Sequence, residues 1–139
     1  MERIGSQVDF SRPGWNAHFQ LGHIALSAGD PAEAAAAYEA AIASAVTVEQ
    51  GYLARVSLAN ALWSLGRRED AIAALEKAMP IEPQRTEAPL MLAQMAAATG
   101  DLARARVLYA DVLALDPDDA TAQRGAVAPE SVPSTLPAP

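Results

Sequence analysis

Cysteine is absent from all 139 residues, which excludes disulfides, thiolate zinc sites and cysteine nucleophiles in one step. Aromatic residues are scarce at 5%, whereas alanine makes up about a quarter of the chain. That balance favours close-packed helices over sheets, which are built from β-branched and aromatic side chains. Long apolar runs are missing too: no segment approaches the roughly 20 residues needed to span a bilayer. The first fifteen residues carry Glu2, Arg3, Asp9 and Arg12 where a secretory signal would need an apolar core. These absences point to a cytoplasmic chain with no membrane contact. Basic residues are outnumbered, 10 Lys and Arg against 17 Asp and Glu for a net charge of -7, and the arginines form no stripe. A phosphate backbone would be repelled, so nucleic acid is not the expected partner. The length suits one domain and is too short for two independent cores.

What the sequence does contain is a repeat. Gly29-Asp30, Gly66-Arg67 and Gly100-Asp101 each interrupt a helical pattern, at intervals of 37 and then 34 residues. Each is preceded by a large and a small residue (Leu21-Gly22, Leu58-Ala59, Leu92-Ala93) and followed by a small and a bulky one (Ala34 and Tyr38, Ala71 and Leu75, Ala105 and Tyr109). Glycine suits the left-handed residue that ends a helix, and the small residues let two helices approach closely. Each copy therefore reads as a helix-turn-helix pair. Asp30-Pro31-Ala32-Glu33 marks a helix start with an N-cap aspartate, a first-turn proline and a glutamate at the capping-box position, and Asp116-Pro117 repeats part of that signal. One pair cannot bury its apolar face alone, but stacked pairs share a continuous core.

This pattern resembles the tetratricopeptide repeat family over roughly residues 15 to 119, with copies at 15–48, 52–85 and 86–119. The third copy carries the motif best, in Leu92, Ala93, Gly100, Ala105, Tyr109 and Pro117; the first departs from it at His18 and Val46, and Trp15 fills part of the space beside His18. The resemblance implies an all-α, right-handed α-solenoid of three helix-turn-helix pairs, preceded by an N-terminal arm over 1–14. Three extra residues, Glu49 to Gly51, stand between the first two copies. Thr47-Val48-Glu49-Gln50 is a capping-box pattern, so the insertion either lengthens the next helix or forms a longer loop. Residues 120–139 turn to alanine, proline, serine and threonine, giving a short or incomplete C-terminal capping helix, broken by Gly125, and a disordered tail. The last pair either makes do with this short cap or packs against another chain.

Nothing in the sequence assembles an active site. His18 and His23 are five apart, about 140° around a helix, so they do not form a metal-ligating pair. Glu33, Glu39, Glu69, Asp70 and Glu76 lie near turns or on solvent-facing positions of second helices. There is no phosphate-cradling glycine loop and no nucleophile elbow. The chain is read as a non-enzyme with no cofactor and no metal.

In the family the concave surface is lined by the first helix of each pair, and this implies ladders of inward-facing residues. Asn16, Leu53 and Glu87 border the entrance. Phe19, Val56 and Leu90 make an apolar row, His23, Asn60 and Gln94 a polar one, and Leu26, Trp63 and Ala97 follow. Asn60 and Gln94 both donate and accept, which suits the backbone of an extended segment, while the apolar row and Trp63 receive its side chains. Val56 and Leu90 could equally complete the core, and Trp63 could be a packed residue instead of an anchor. Some family members clamp a C-terminal carboxylate with lysine, arginine and asparagine; the matching positions here hold Phe19, His23, Ser57, Glu87 and Met91. The implied function is a non-catalytic adapter or chaperone-like module for a protein or peptide partner that is neutral to basic and partly apolar. The alternatives are an assembly unit that forms a homo-oligomer through its poorly capped end, or a docking subunit for a separate enzyme.

Overall fold

The computed structural model describes residues 14–127. Seven helices occupy that range: α1 (Trp15–Ser27), α2 (Pro31–Ser44), α3 (Val48–Ser64), α4 (Arg68–Ala78), α5 (Glu87–Ala98), α6 (Leu102–Leu115) and α7 (Ala120–Val127). No strand occurs among the described residues, as an all-α fold requires. The chain divides into two compact units, one holding α1 to α3 and ending at Arg67, the other holding α4 to α7 and beginning at Arg68. Most of the expected N-terminal arm and the end of the proline-rich tail, residues 1–13 and 128–139, lie outside the described residues.

Three near-identical turns separate the helices of successive pairs. Gly29, Gly66 and Gly100 adopt φ values of 84°, 84° and 93°, the left-handed region in which a side chain is strained. In each turn the residue after the glycine donates its N–H back across six residues: Asp30 to the Ala25 carbonyl, Arg67 to Leu62 and Asp101 to Ala96, all at 2.9 Å. This bond closes the end of the preceding helix and satisfies a carbonyl that would otherwise lack a partner.

Side chains cap the starts of α2, α3, α6 and α7, whereas α1 and α5 begin without a side-chain cap. Asp30 accepts from the Glu33 amide at 3.1 Å and Asp101 from the Arg104 amide at 3.2 Å. At α3 the capping box is complete: the Gln50 amide donates to Thr47 Oγ1 at 3.1 Å, and the Thr47 amide donates to Gln50 Oε1 at 3.3 Å. Glu49 to Gly51 are therefore helical, and α3 runs for 17 residues, so the insertion lengthens a helix and makes no loop. The restart expected at Asp116-Pro117 falls elsewhere. Asp116 terminates α6 and its carboxylate accepts from the Asp118 amide at 3.2 Å, while Asp119 caps α7 by accepting from the Ala122 amide at 2.8 Å.

Alanine builds both cores. In the first unit Ala25, Ala34, Ala35, Tyr38 and Ala61 form a buried cluster, with Phe19, Leu26, Leu58 and Leu65 packed against it. Gly22 is buried opposite Tyr38, whose ring fills the space that a Cβ on residue 22 would need. In the second unit α6 packs against both α5 and α7, burying Leu92, Ala93, Ala105, Leu108, Tyr109, Val112 and Ala122. Here Gly125 corrects a sequence-based expectation. It does not break the terminal helix but lies within α7, because the Tyr109 ring occupies its missing Cβ position.

Candidate functional site

In the first unit, Trp15, Phe19 and His23 stand four residues apart on α1, and that spacing stacks their rings along one side of the helix. The Trp15 and Phe19 centroids are 4.5 Å apart at an interplanar angle of 17°, and the Phe19 and His23 centroids are also 4.5 Å apart. Tyr38 joins from α2, with its centroid 5.8 Å from that of Phe19, and its hydroxyl shares a hydrogen bond with His23 Nδ1. Burial pushes the Tyr38 hydroxyl pKa up from its usual value of 10.0, and a hydrogen bond with Ser57 acts in the opposite direction. Trp15 Nε1–H donates to the Gln50 carbonyl at 3.0 Å, which ties α1 to α3. Phe19 is half-buried, whereas Asn16 and His23 are exposed.

On α3 the expected groove residues separate by burial. Asn60 is exposed, Leu53 and Trp63 are half-buried, and Val56 is only 7% exposed. Val56 is thus a core residue, the plainer of its two sequence readings. In the second unit, Leu90 and Glu87 on α5 are half-buried and Gln94 is exposed. Glu87 is engaged by Arg85 through two bonds, Nε to Oε1 at 3.1 Å and Nη2 to Oε2 at 2.8 Å. Each unit therefore presents the same chemistry, an exposed amide one helical turn from a partly exposed apolar side chain: Asn60 with Trp63 in one, Gln94 with Leu90 in the other. An amide that both donates and accepts matches a peptide backbone, and partly exposed apolar side chains retain area to bury against a ligand.

Two features escaped the sequence reading. Trp15 and Tyr38 belong to the aromatic stack, and the four-residue spacing of Trp15, Phe19 and His23 is the legible signal for three of its four rings. The second unit also holds an open cavity of about 440 Å³ whose lining includes Met79, Pro83, Pro89, Leu92 and Leu108. Arg104 and Glu76 pair at 2.6 Å on its rim, and Arg85 there is occupied by Glu87. The two ion pairs balance in charge, and at these exposures each contributes about 0–1 kcal/mol.

Among the described residues no three metal-ligating side chains gather, and no helix is long and apolar enough to cross a membrane.

Two tetratricopeptide repeat family models match the chain, one over residues 19–86 and the other over 62–128. Similar solved structures are domains of the same kind. The first tetratricopeptide domain of human RPAP3 is 17% identical with a TM-score of 0.76, the alignment covering 87% of this chain and 93% of that one. The Sgt2 domain from Aspergillus fumigatus is 17% identical with a TM-score of 0.76, covering 92% and 84%. The first such domain of Spaghetti (RPAP3), solved with the HSP90 peptide SRMEEVD, is 18% identical with a TM-score of 0.74, covering 86% and 93%. A search of curated proteins finds no significant sequence match.

Proposed function

This chain belongs to the tetratricopeptide repeat family, and we propose that it is a non-catalytic, cofactor-free adapter that holds an extended or helical segment of another protein. The binding residues lie on the first helices of the repeats, α1 and α3 in the first unit and α5 in the second, with 15–48, 52–85 and 86–119 as the three repeats. The observation that carries this reading is the pairing of an exposed amide with partly exposed apolar side chains on successive first helices, Asn60 beside Trp63 and Gln94 beside Leu90. First helices each closed at their C-terminal end by a left-handed glycine turn reduce the ordering cost of binding on the protein's side.

The ligand differs in charge from the acidic SRMEEVD peptide seen with Spaghetti. Guanidinium and ammonium groups are the strongest holders of a carboxylate. Phe19, His23, Ser57, Glu87 and Met91 stand at the corresponding positions, and the chain carries a net charge of -7. A neutral or basic segment with apolar side chains is favoured instead.

A peptide library panned against the protein tests this. Neutral to basic, partly apolar sequences should be enriched, and the double variant Asn60→Arg, Gln94→Arg should lose them while keeping its helical circular dichroism. Both positions are exposed, so the substitutions leave the core alone. Enrichment of acidic C-terminal sequences, or binding indifferent to the double variant, would overturn the reading.

A further inference from the structure

Leu21 and Ile24 are 49% and 64% exposed in the middle of α1. With Ala17 and Ala28, also exposed, they form a stripe about 60° wide, since residues at these spacings return to one side of a helix. Phe19 and His23 point well away from it, so this is a second surface and not an edge of the proposed groove. Equivalent positions elsewhere show what such a stripe does. Counting back from the left-handed glycines, Ala17, Leu21 and Ile24 correspond to Ala54, Leu58 and Ala61 on α3, and to Ala88, Leu92 and Met95 on α5. On α3, Ala61 belongs to the buried cluster with Ala34, Ala35 and Tyr38 of α2, and Leu58 packs against it. On α5, Ala88, Leu92 and Met95 are buried, and α5 packs against α4. This side of a first helix is the side that seats against another helix, and on α1 it is apolar with no helix over it among the described residues.

We infer that a second copy of this chain covers the stripe, α1 against α1 across a two-fold axis near Leu21 and Ile24. Charge is the first reason. Two copies at -7 each repel, yet α1 contains none of the 17 acidic or 10 basic residues, and every other helix in the described range contains at least one. A like-charged copy meets no fixed charge on this helix, whereas it meets at least one on each of the others. The second reason is closure. A head-to-tail arrangement would seat α1 on the last long helix of the next copy, but that helix, α6, is already covered by α7 through the Tyr109 and Gly125 contact. With that seat taken, the self-complementary arrangement remains, in which the same patch serves both partners and the assembly closes at two. Ala17 and Ala28 at the ends of the stripe let the helices approach, and Leu21 and Ile24 interdigitate at its centre.

Sedimentation of the full chain over a range of concentrations tests this. The wild type should run at twice the 14.5 kDa of one chain. Ile24→Glu should weaken the dimer by about 100-fold or more, because each copy would bury an unpaired carboxylate near the axis. Val107→Glu is the matched control: Val107 on α6 is 60% exposed, much as Ile24 is at 64%, and that variant should remain dimeric. Circular dichroism should be unchanged in both. A wild-type monomer at high concentration would overturn the inference, and if deletion of residues 2–13 then produced a dimer, the chain's own arm would be the occupant. A dimer that survives Ile24→Glu, or that Val107→Glu dissociates equally, would also overturn it.

Discussion

Gly22 on α1 and Tyr38 on α2 occupy complementary space: the aromatic ring lies where any residue other than glycine would place its Cβ. Tyr109 and Gly125 repeat the relationship between α6 and α7. Glycine to alanine in a helix interior ordinarily stabilises by about 1 kcal/mol. Here the forced displacement of a buried ring outweighs that gain, and overpacking of this kind costs about 1–3 kcal/mol. Gly22→Ala should therefore lower the melting temperature, and thermal unfolding by circular dichroism reads the sign directly. A rise would show that α1 and α2 separate without penalty.

Gly51 and Gly66 should respond oppositely to the same change. Gly51 lies within α3 with nothing within 4 Å of a Cβ built there, so Gly51→Ala should stabilise by about 0.5–1 kcal/mol. Gly66 also has open space, but its φ of 84° penalises any side chain, so Gly66→Ala should destabilise by about 1–2 kcal/mol. Urea unfolding of the two variants checks this, and equal effects would contradict it.

The tyrosines make the chain sensitive to alkali. Burial raises the hydroxyl pKa of both Tyr38 and Tyr109 above the usual 10.0, so between the unfolded and folded values the native state holds more protons than the unfolded one. Under that condition stability falls as pH rises. The contribution is intact below about pH 10 and is lost through the folded pKa above it. Tyr38→Phe removes one of the two hydroxyls whose pKa burial raises, so the difference in urea stability between pH 9 and pH 11 should shrink relative to wild type. An unchanged difference would contradict this.

The fold was legible because its signals are local. The glycine turns, the Asp30 cap and the Thr47 to Gln50 box act through backbone geometry within a few residues, so sequence spacing alone exposes them. Gly125 was misread because its reason lies 16 positions away, in the ring of Tyr109, and glycine inside a short helix otherwise signals a break. Val56 was ambiguous for a related cause: helical period places it on the inner side, but its burial depends on neighbours from other helices. Three of the four rings of the aromatic stack are visible in the sequence, since Trp15, Phe19 and His23 share one helix while Tyr38 arrives from the next.

The proposed binding surface is tested most directly by mapping a panned peptide onto the protein through amide and indole chemical shifts. The two tryptophans give two reporters. Trp15 is held by the Gln50 carbonyl and should move little, whereas Trp63, together with Asn60, Leu90 and Gln94, should shift saturably with peptide. Shifts confined to Leu21 and Ile24, or to the outer sides of α2, α4 and α6, would contradict the account.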